Sequence, residues 1–308
     1  MPGIFTFCEE SGLSKELLTA ALEIKQALPE PITALALNEA DAKELAALGA
    51  DKVVALQSAG SWTEGLGDAI CGVLSAAPAT VFLVGGTLRG KHLGAYVAAK
   101  LNVGMATDAK TLKVAGGKLL VSRLLYGGLA LSEEEVALPA VVSVPARTFA
   151  RPKAAANAGT VETRKAEADS RVTISDVSHS NGTGVDISEL PRLIAVGRGF
   201  RKREDLKLAE DLASALKAGV ACSRPVAEEE HWLPVERYVG ISGHTVKPEL
   251  YLAAGISGQI QHMVGARESK VIVAINNDEH APIFESADYG VVGDLYEVLP
   301  LLTAAVKK

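Results

Sequence analysis

The chain has 308 residues, 48% of them hydrophobic and 22% charged, with a formal net charge of −6. That length predicts two domains, each large enough for its own core. The acidic surplus excludes nucleic acid as the main partner, because no basic excess exists to neutralise phosphates. Cys8, Cys71 and Cys222 show neither C-x-x-C nor Cys/His metal-ligand spacing and read as reduced thiols. The start, MPGIFTFCEES, carries no basic n-region, long apolar h-region or Arg-rich transit segment. No apolar run approaches the roughly 20 residues of a membrane span. The expectation is a soluble, cytoplasmic protein without membrane insertion.

In chain order, Gly3–Cys8 predicts a first strand. Ser14–Leu28 predicts a helix with apolar residues at Leu17, Leu18, Ala21, Leu22, Ile24 and Leu28, capped by Ser14 and stopped by Pro29. Strands follow at Ile32–Leu37, Lys52–Leu56 and Thr80–Val84, interleaved with helices from the Asn38 cap to Leu48, over Glu64–Ala76 and over Leu88–Leu101. Such alternation predicts a parallel sheet covered by helices on both faces. The turn Val84-Gly85-Gly86-Thr87 reads as a phosphate cradle or as a tight βα turn; the lack of a lysine at P-loop spacing favours the turn. Arg89, Lys91 and His92 read as a solvated helix start.

From Asn102 the pattern changes. Thr111–Val114, Lys118–Leu125 and Ala140–Val144 are strand-like, with a Gly116-Gly117 hairpin turn between the first two. Ala150–Thr160 reads as an exposed arm and Val161–Ile174 as an extended segment. His179-Ser180-Asn181-Gly182-Thr183-Gly184 lacks apolar periodicity and marks a boundary between domains at 1–180 and 181–308.

The second domain opens with strand Leu193–Val196, turn Gly197-Arg198-Gly199, helix Leu206–Lys217 and strand Val220–Cys222. Three further apolar runs, Leu250–Ile256, Lys270–Ile275 and Tyr289–Val292, stop at Ser257-Gly258, Asn276-Asn277 and Gly293-Asp294. These are successive βα units of a parallel sheet, whose ligands bind at the carboxyl ends of the strands. Ser257, Asn276 and Asp294 therefore emerge on one edge, which reads as a nucleotide site. Gly255-Ile256-Ser257-Gly258 closes a strand and opens a helix over Gln259–Val264, an arrangement suited to a diphosphate. His262 lies about one turn along that helix; alone, it reads equally as a satisfied core histidine. Arg198 and Arg224 follow strand ends, where a guanidinium pairs with a diphosphate or lies against a planar ring; either one alone reads as a surface arginine. Glu228-Glu229-Glu230 reads as solvated surface rather than a partner contact.

The wording of the second half is specific. PELYLAAGISGQIQH, VIVAINNDEHAPIF and ADYGVVGDLYEVLP closely resemble the FAD-binding signature of the electron transfer flavoprotein α-subunit family, and VGRGF, CSRPVA and VGISG extend the match upstream. CSRPVAEEEHW and GQIQHMVG resemble the FixB-like branch. The resemblance implies two α/β domains, each a mainly parallel sheet flanked by helices. The C-terminal one is a doubly wound FAD-binding domain, and the N-terminal one is nucleotide-binding-like but supplies little of the FAD site. Arg198 and Ser223 would line the pocket. Arg224 would lie at the redox-active edge of the flavin, favouring its anionic, one-electron-reduced form. Val239, Gly240 and Ser242 would form a loop on the flavin, and His262 would donate toward its pyrimidine carbonyl. Ser257, Gly258 and Gln261 would hold the diphosphate, with Gln259 and Ile260 in the same cofactor-binding set. Asn276, Asp294 and Leu295 would hold the ribose and adenine end. No catalytic acid or base and no metal ligand is implied.

Three positions depart from the pattern: Ile241 stands where many relatives have Gln, His244 where many have Lys, and Ser242 where Thr is common, the last keeping the hydroxyl. Loss of that lysine removes a fixed charge, and a histidine brings pH sensitivity near the flavin. Arg123-Leu124-Leu125-Tyr126-Gly127-Gly128 resembles the family's R-x-x-Y-G-G segment and reads as packing or interface before chemistry; Thr107-Asp108 also matches and reads as a turn.

The family works as a heterodimer with a β-subunit that carries AMP or a second FAD. It shuttles electrons from dehydrogenases, such as acyl-CoA dehydrogenases, to an acceptor oxidoreductase. This implies a redox carrier that turns over no organic substrate of its own; the FixB-like wording adds electron bifurcation as an open alternative. Two rivals remain. One is an NAD(P)- or thiamine-dependent enzyme sharing the doubly wound domain, opposed by the lack of G-x-G-x-x-G after the first strand and of an acid/base pair. The other is a binding module that uses a nucleotide as structural glue.

Overall fold

A computed structural model describes residues 2–58, 63–169, 171 and 186–307. The chain divides into two compact units, Met1–Val177 and Ser178–Lys308. The predicted boundary over residues 179–184 lies outside the described residues, as does the end of the predicted extended segment at 172–174.

In the first unit the strands are β1 (Gly3–Phe7), β2 (Ile32–Ala36), β3 (Lys52–Gln57), β4 (Ala79–Gly85), β5 (Gly104–Ala106), β6 (Ala109–Ala115), β7 (Lys118–Leu125), β8 (Ala130–Ala137), β9 (Ala140–Val144) and β10 (Thr160–Lys165). The helices are α1 (Ser11–Ala27), α2 (Glu39–Ala47), α3 (Gly67–Ala76) and α4 (Leu88–Leu101). Seven strands form one sheet in the order β10-β3-β2-β1-β4-β9-β5, with every pairing parallel. One face packs Leu13, Leu17 and Leu18 of α1 and Ala42 and Leu45 of α2. The other packs Ile70 and Leu74 of α3 and Leu93 and Val97 of α4.

The first helix begins three residues before the expected Ser14 cap. Ser14 sits inside α1, 3% exposed, and its N–H donates to the Glu10 carbonyl (2.9 Å). Leu13 adds another core-facing residue, so burial extends the helix past a weak capping signal. Asn38 caps α2 as expected, accepting from the Asp41 N–H (2.8 Å). The remaining strands and helices of the parallel core lie within a few residues of their predicted ranges.

The sequence reading missed β5 and β8. The latter contains Glu133, Glu134 and Glu135, and it closes the antiparallel sheet β6-β7-β8. Cross-strand ion pairs, Arg123 to Glu134 (2.7 Å) and Lys118 to Glu135 (2.5 Å), give those acids partners across the sheet. Ala140–Val144 joins the parallel sheet, not this hairpin.

The second unit contains β11 (Arg192–Val196), α5 (Leu206–Leu216), β12 (Gly219–Cys222), α6 (Arg224–Glu228), β13 (Leu250–Ala254), α7 (Ile260–Ala266), β14 (Ile272–Asn276), α8 (Ile283–Ser286), β15 (Tyr289–Val292) and α9 (Leu295–Val306). Its sheet runs β12-β11-β13-β14-β15, all parallel. The chain winds from β11 outward to β12, then returns across β11 to β13. Strand order therefore reverses between β11 and β13, and a doubly wound sheet opens its ligand crevice at the carboxyl ends of such a pair. Among the described residues no helix is long and apolar enough to cross a membrane, and no cluster of His, Cys, Asp or Glu is arranged to hold a metal ion.

Candidate functional site

The turns after β11 and β13 interlock through main chain. Gly197 N–H donates to the Ala254 carbonyl (3.0 Å), and Gly199 N–H to the Gly255 carbonyl (3.0 Å). A Cβ on Gly199 would stand 2.6 Å from the Gly255 Cα, and one on Gly255 2.8 Å from the Gly199 Cα. Gly255 also has φ of +64°, a left-handed conformation that disfavours any side chain. Gly255 is thus needed twice, for conformation and for the close approach of two backbones, whereas Gly197 and Gly199 are needed for the close approach alone.

Above these turns lies a cleft of about 470 Å³, within the range of cofactor pockets. It is lined by fourteen of the fifteen residues expected from sequence: Arg198, Ser223, Arg224, Val239, Gly240, Ser242, Ser257, Gly258, Gln259, Gln261, His262, Asn276, Asp294 and Leu295. Ile260 lies outside the lining, with its side chain 49% exposed. Tyr238, Asn277, Arg201 and Tyr296 also line the cleft but were not anticipated. The signal for the last two was present: Arg201 stands two residues beyond the GRG turn, and Tyr296 opens α9 next to Asp294.

The loop over the cleft is tied at both ends. Val239 N–H donates to the Cys222 carbonyl at the end of β12 (2.9 Å), and Ile241 N–H donates to the Gln261 carbonyl in α7 (2.8 Å). His244, expected to bring pH sensitivity to the flavin, does not line the cleft; its backbone closes the loop by bonds to Tyr238 and Gly240. Ile241 is 64% exposed at the cleft wall.

Three lining arginines, Arg198, Arg201 and Arg224, face a single lining carboxylate, Asp294. Arg198 has no hydrogen-bond or ion-pair partner among the described residues. Arg201 stacks on the Tyr296 ring, 4.8 Å from its centroid, and lies 3.6 Å from the Asp294 carboxylate. The Tyr296 hydroxyl accepts from Arg201 N–H (2.7 Å) and donates to Asp205 (2.6 Å). Arg224 pairs with Glu228 one turn along α6 (2.5 Å); this bond raises its pKa. Glu228 is thereby a partner to a cleft residue, while Glu229 and Glu230 are exposed as expected.

Asn276 uses its side chain on the fold: its amide donates to the Ile256 carbonyl (2.9 Å) and its oxygen accepts from Asp278 N–H (3.0 Å). Asp294 caps α9 by accepting from Tyr296 N–H (2.9 Å). His262 is 8% exposed, and its Nε2 meets the Tyr251 hydroxyl at 2.8 Å. Its Nδ1 is buried without a hydrogen-bond partner. Burial pushes the imidazole pKa down to about 4, against a smaller upward pull from the Val239 backbone. Cys222, at the end of β12, is a free thiol whose pKa burial pushes up to about 12, so it stays protonated and inert.

The corresponding edge of the first unit differs. Thr87 caps α4 by accepting from Gly90 N–H (2.8 Å), and its hydroxyl donates to the Glu9 carboxylate (2.6 Å). A Cβ on Gly85 would meet the Cys8 sulfur, and Gly86 N–H is used by the Val144 carbonyl (2.7 Å). Packing explains this glycine pair, and an acid already occupies the place of a phosphate. Arg89 and Lys91, expected to be solvated, pair with Glu64 (3.2 Å) and Asp108 (3.1 Å).

The fold and site define a doubly wound unit of the nucleotide-binding type, with a cleft at its switch point lined by Arg198, Arg201 and Arg224. The electron transfer flavoprotein FAD-binding domain matches residues 186–267, and the electron transfer flavoprotein domain matches residues 10–170. Protein FixB of Escherichia coli O6:K15:H31 (strain 536 / UPEC) is 42% identical over 316 residues, covering 99% of this chain and 98% of that protein. Protein FixB of Shigella flexneri shows the same 42% identity and coverage, 99% and 98%. The chain belongs to the electron transfer flavoprotein α-subunit family, on its FixB-like branch. Among solved structures, a putative thiamin diphosphate-dependent enzyme from Mycobacterium smegmatis aligns over 97% of this chain and 59% of its own. With 14% identity and a TM-score of 0.24, that likeness carries no argument.

The residues present fit an FAD. Arg198, without a partner among the described residues, and the glycine turns suit a diphosphate, and the buried Nδ1 of His262, which meets no protein atom at hydrogen-bonding geometry, suits a ligand acceptor.

Proposed function

We propose that this chain is the FAD-holding α-subunit of a heterodimeric electron transfer flavoprotein, carrying electrons between donor dehydrogenases and an acceptor oxidoreductase in the cytoplasm. The observation that carries this reading is the convergence of Arg198, Ser223, Gly240, Ser257, His262 and Asp294, from the segments after four strands and from one loop, on one cleft. FAD supplies one- and two-electron chemistry when bound. The chain's residues bind and orient it. Arg198 and the Ser257-Gly258 turn take the diphosphate, and Asp294 and Leu295 border the ribose and adenine end. Arg224 places a positive charge beside the flavin, and the loop from Val239 to Ser242 covers it. Excluding bulk water lets these fixed charges act at low screening.

A β-subunit completes the particle and brings AMP or a second FAD. The test is to purify the chain with its partner, record the absorption spectrum, count nucleotides and reduce the sample stepwise. One FAD plus one AMP supports a single-electron carrier. Two FADs of well-separated potential support bifurcation. A complex that takes up no flavin even when FAD is added overturns the reading.

A further inference from the structure

Tyr251 is the largest fully buried side chain among the described residues, at 0% exposure. It stands on β13 among apolar residues, including Met263, Val239 and Val246, and does not line the cleft. Its hydroxyl has one hydrogen-bond partner among the described residues, the Nε2 of His262 at 2.8 Å. The two rings are tilted by 48° with centroids 6.1 Å apart, so the contact is made through the polar tips rather than by stacking.

A buried tyrosine hydroxyl has one hydrogen to place and no water to place it on. If Nε2 carried the imidazole proton, it would donate to the tyrosine oxygen and leave the tyrosine hydrogen without an acceptor. If Nε2 is bare, the hydroxyl donates to it, and both the tyrosine hydrogen and the Nε2 lone pair are satisfied. The proton then resides on Nδ1, which meets no protein atom at hydrogen-bonding geometry and feels only the weaker pull of the Val239 backbone. An imidazolium would restore the unsatisfied tyrosine hydrogen, so the same contact opposes charging of the ring.

We propose that Tyr251 is a positioning residue that locks His262 in its neutral Nδ1–H tautomer, so that the cleft is furnished with an uncharged hydrogen-bond donor for a carbonyl acceptor of the ligand. This rests on the FAD reading for the identity of that carbonyl, the pyrimidine side of the flavin, but not for the tautomer itself. The second ring nitrogen of a histidine sets the role of the first, as in metal sites where the remote nitrogen is held by a neighbour. Here a tyrosine on the central strand plays that part.

The tautomer is measured on the full-length, FAD-free chain labelled with [15N]histidine, with His262 assigned among the six histidines by its loss in His262→Gln. A pyridine-type signal at Nε2 and a protonated Nδ1 are expected. Tyr251→Phe should abolish the single tautomer. A protonated Nε2 in the native chain, or an unchanged Nδ1–H state in Tyr251→Phe, overturns the proposal; if Tyr251→Phe does not fold, the native signal alone decides. In the complex loaded with FAD, Tyr251→Phe should lower the yield of one-electron-reduced flavin during stepwise reduction while FAD stoichiometry is retained. An unchanged yield overturns the positioning role. If neither native nor variant complex takes up FAD, the flavin reading fails, and the tautomer still settles what Tyr251 does.

Discussion

At the scale of single residues, the cleft couples stability to pH through His262. Its folded-state pKa, about 4, lies below the ordinary 6.5. The unfolded chain therefore takes up a proton as pH falls through 6.5, whereas the folded chain resists until about 4. Stability is complete above 6.5 and is lost across that window, by about 2–3 kcal/mol near pH 4.5. Urea midpoints at pH 7 and 4.5 should show this loss in the native chain and not in His262→Gln. Arg224 offers a second residue-scale prediction. Its bond to Glu228 is an exposed one that a bound anion readily replaces. Arg224→Ala should reduce the yield of one-electron-reduced flavin in stepwise reduction with FAD still bound, while Glu228→Gln should maintain or raise it. Equal yields in all three proteins would remove Arg224 from the redox edge.

At the scale of elements, strand ends and helix starts are the working parts. Asp294 is both the cap of α9 and the ion-pair partner of Arg201. Asp294→Asn should keep the cap, whereas Asp294→Ala should cost about 1 kcal/mol of stability; denaturant titration separates the two. The interlocked turns after β11 and β13 make a stronger prediction. Gly255→Ala forces a side chain into φ of +64° against the Gly199 Cα and a Leu295 methyl. A loss of about 1–3 kcal/mol is expected, with FAD affinity falling alongside, as read by flavin fluorescence titration. Elements of this kind were legible from sequence because glycine has few other reasons to punctuate an apolar run. The acidic strand β8 was not, since its ladder partner β7, with Lys118 and Arg123 facing its acids, lies elsewhere in the chain and nothing within Ala130–Ala137 announces it. Similarly, Ser14 resembled a cap because local chemistry was visible while the burial that starts α1 at Ser11 was not.

At the scale of the whole molecule, the alternation of apolar runs and helices was enough to foretell parallel sheets in both units. Collinear motifs placed all but one of the expected residues around a single cleft. What sequence withheld was how side chains are spent. Asn276 is committed to the Ile256 carbonyl and Asp278 N–H, His244 contributes its backbone, and Tyr251 backs His262 from a strand that reads only as apolar. Such assignments depend on pairs of residues far apart in the chain. The division of labour between units predicts a localised response to ligand. FAD at a hundred times its Kd adds about 2.7 kcal/mol to whatever binds it. Hydrogen exchange should therefore slow within residues 186–307, most at the ends of β11 and β13, with the first unit's sheet unchanged. Equal protection in both units would contradict a cofactor site confined to the second.

The floor of the cleft includes backbone pressed against backbone, with Gly199 on one side and Gly255 on the other. A surface made in that way offers natural variation almost nothing to act upon. The walls are different: Ile241, Ser242, Arg224 and Glu228 are side chains on a tied loop and a short helix. Grip and tuning are thus vested in separate chemical material. A descendant of this chain can drift in redox character by changing its walls without ever loosening its hold, and an engineer who wishes to shift the flavin's potential has the same freedom.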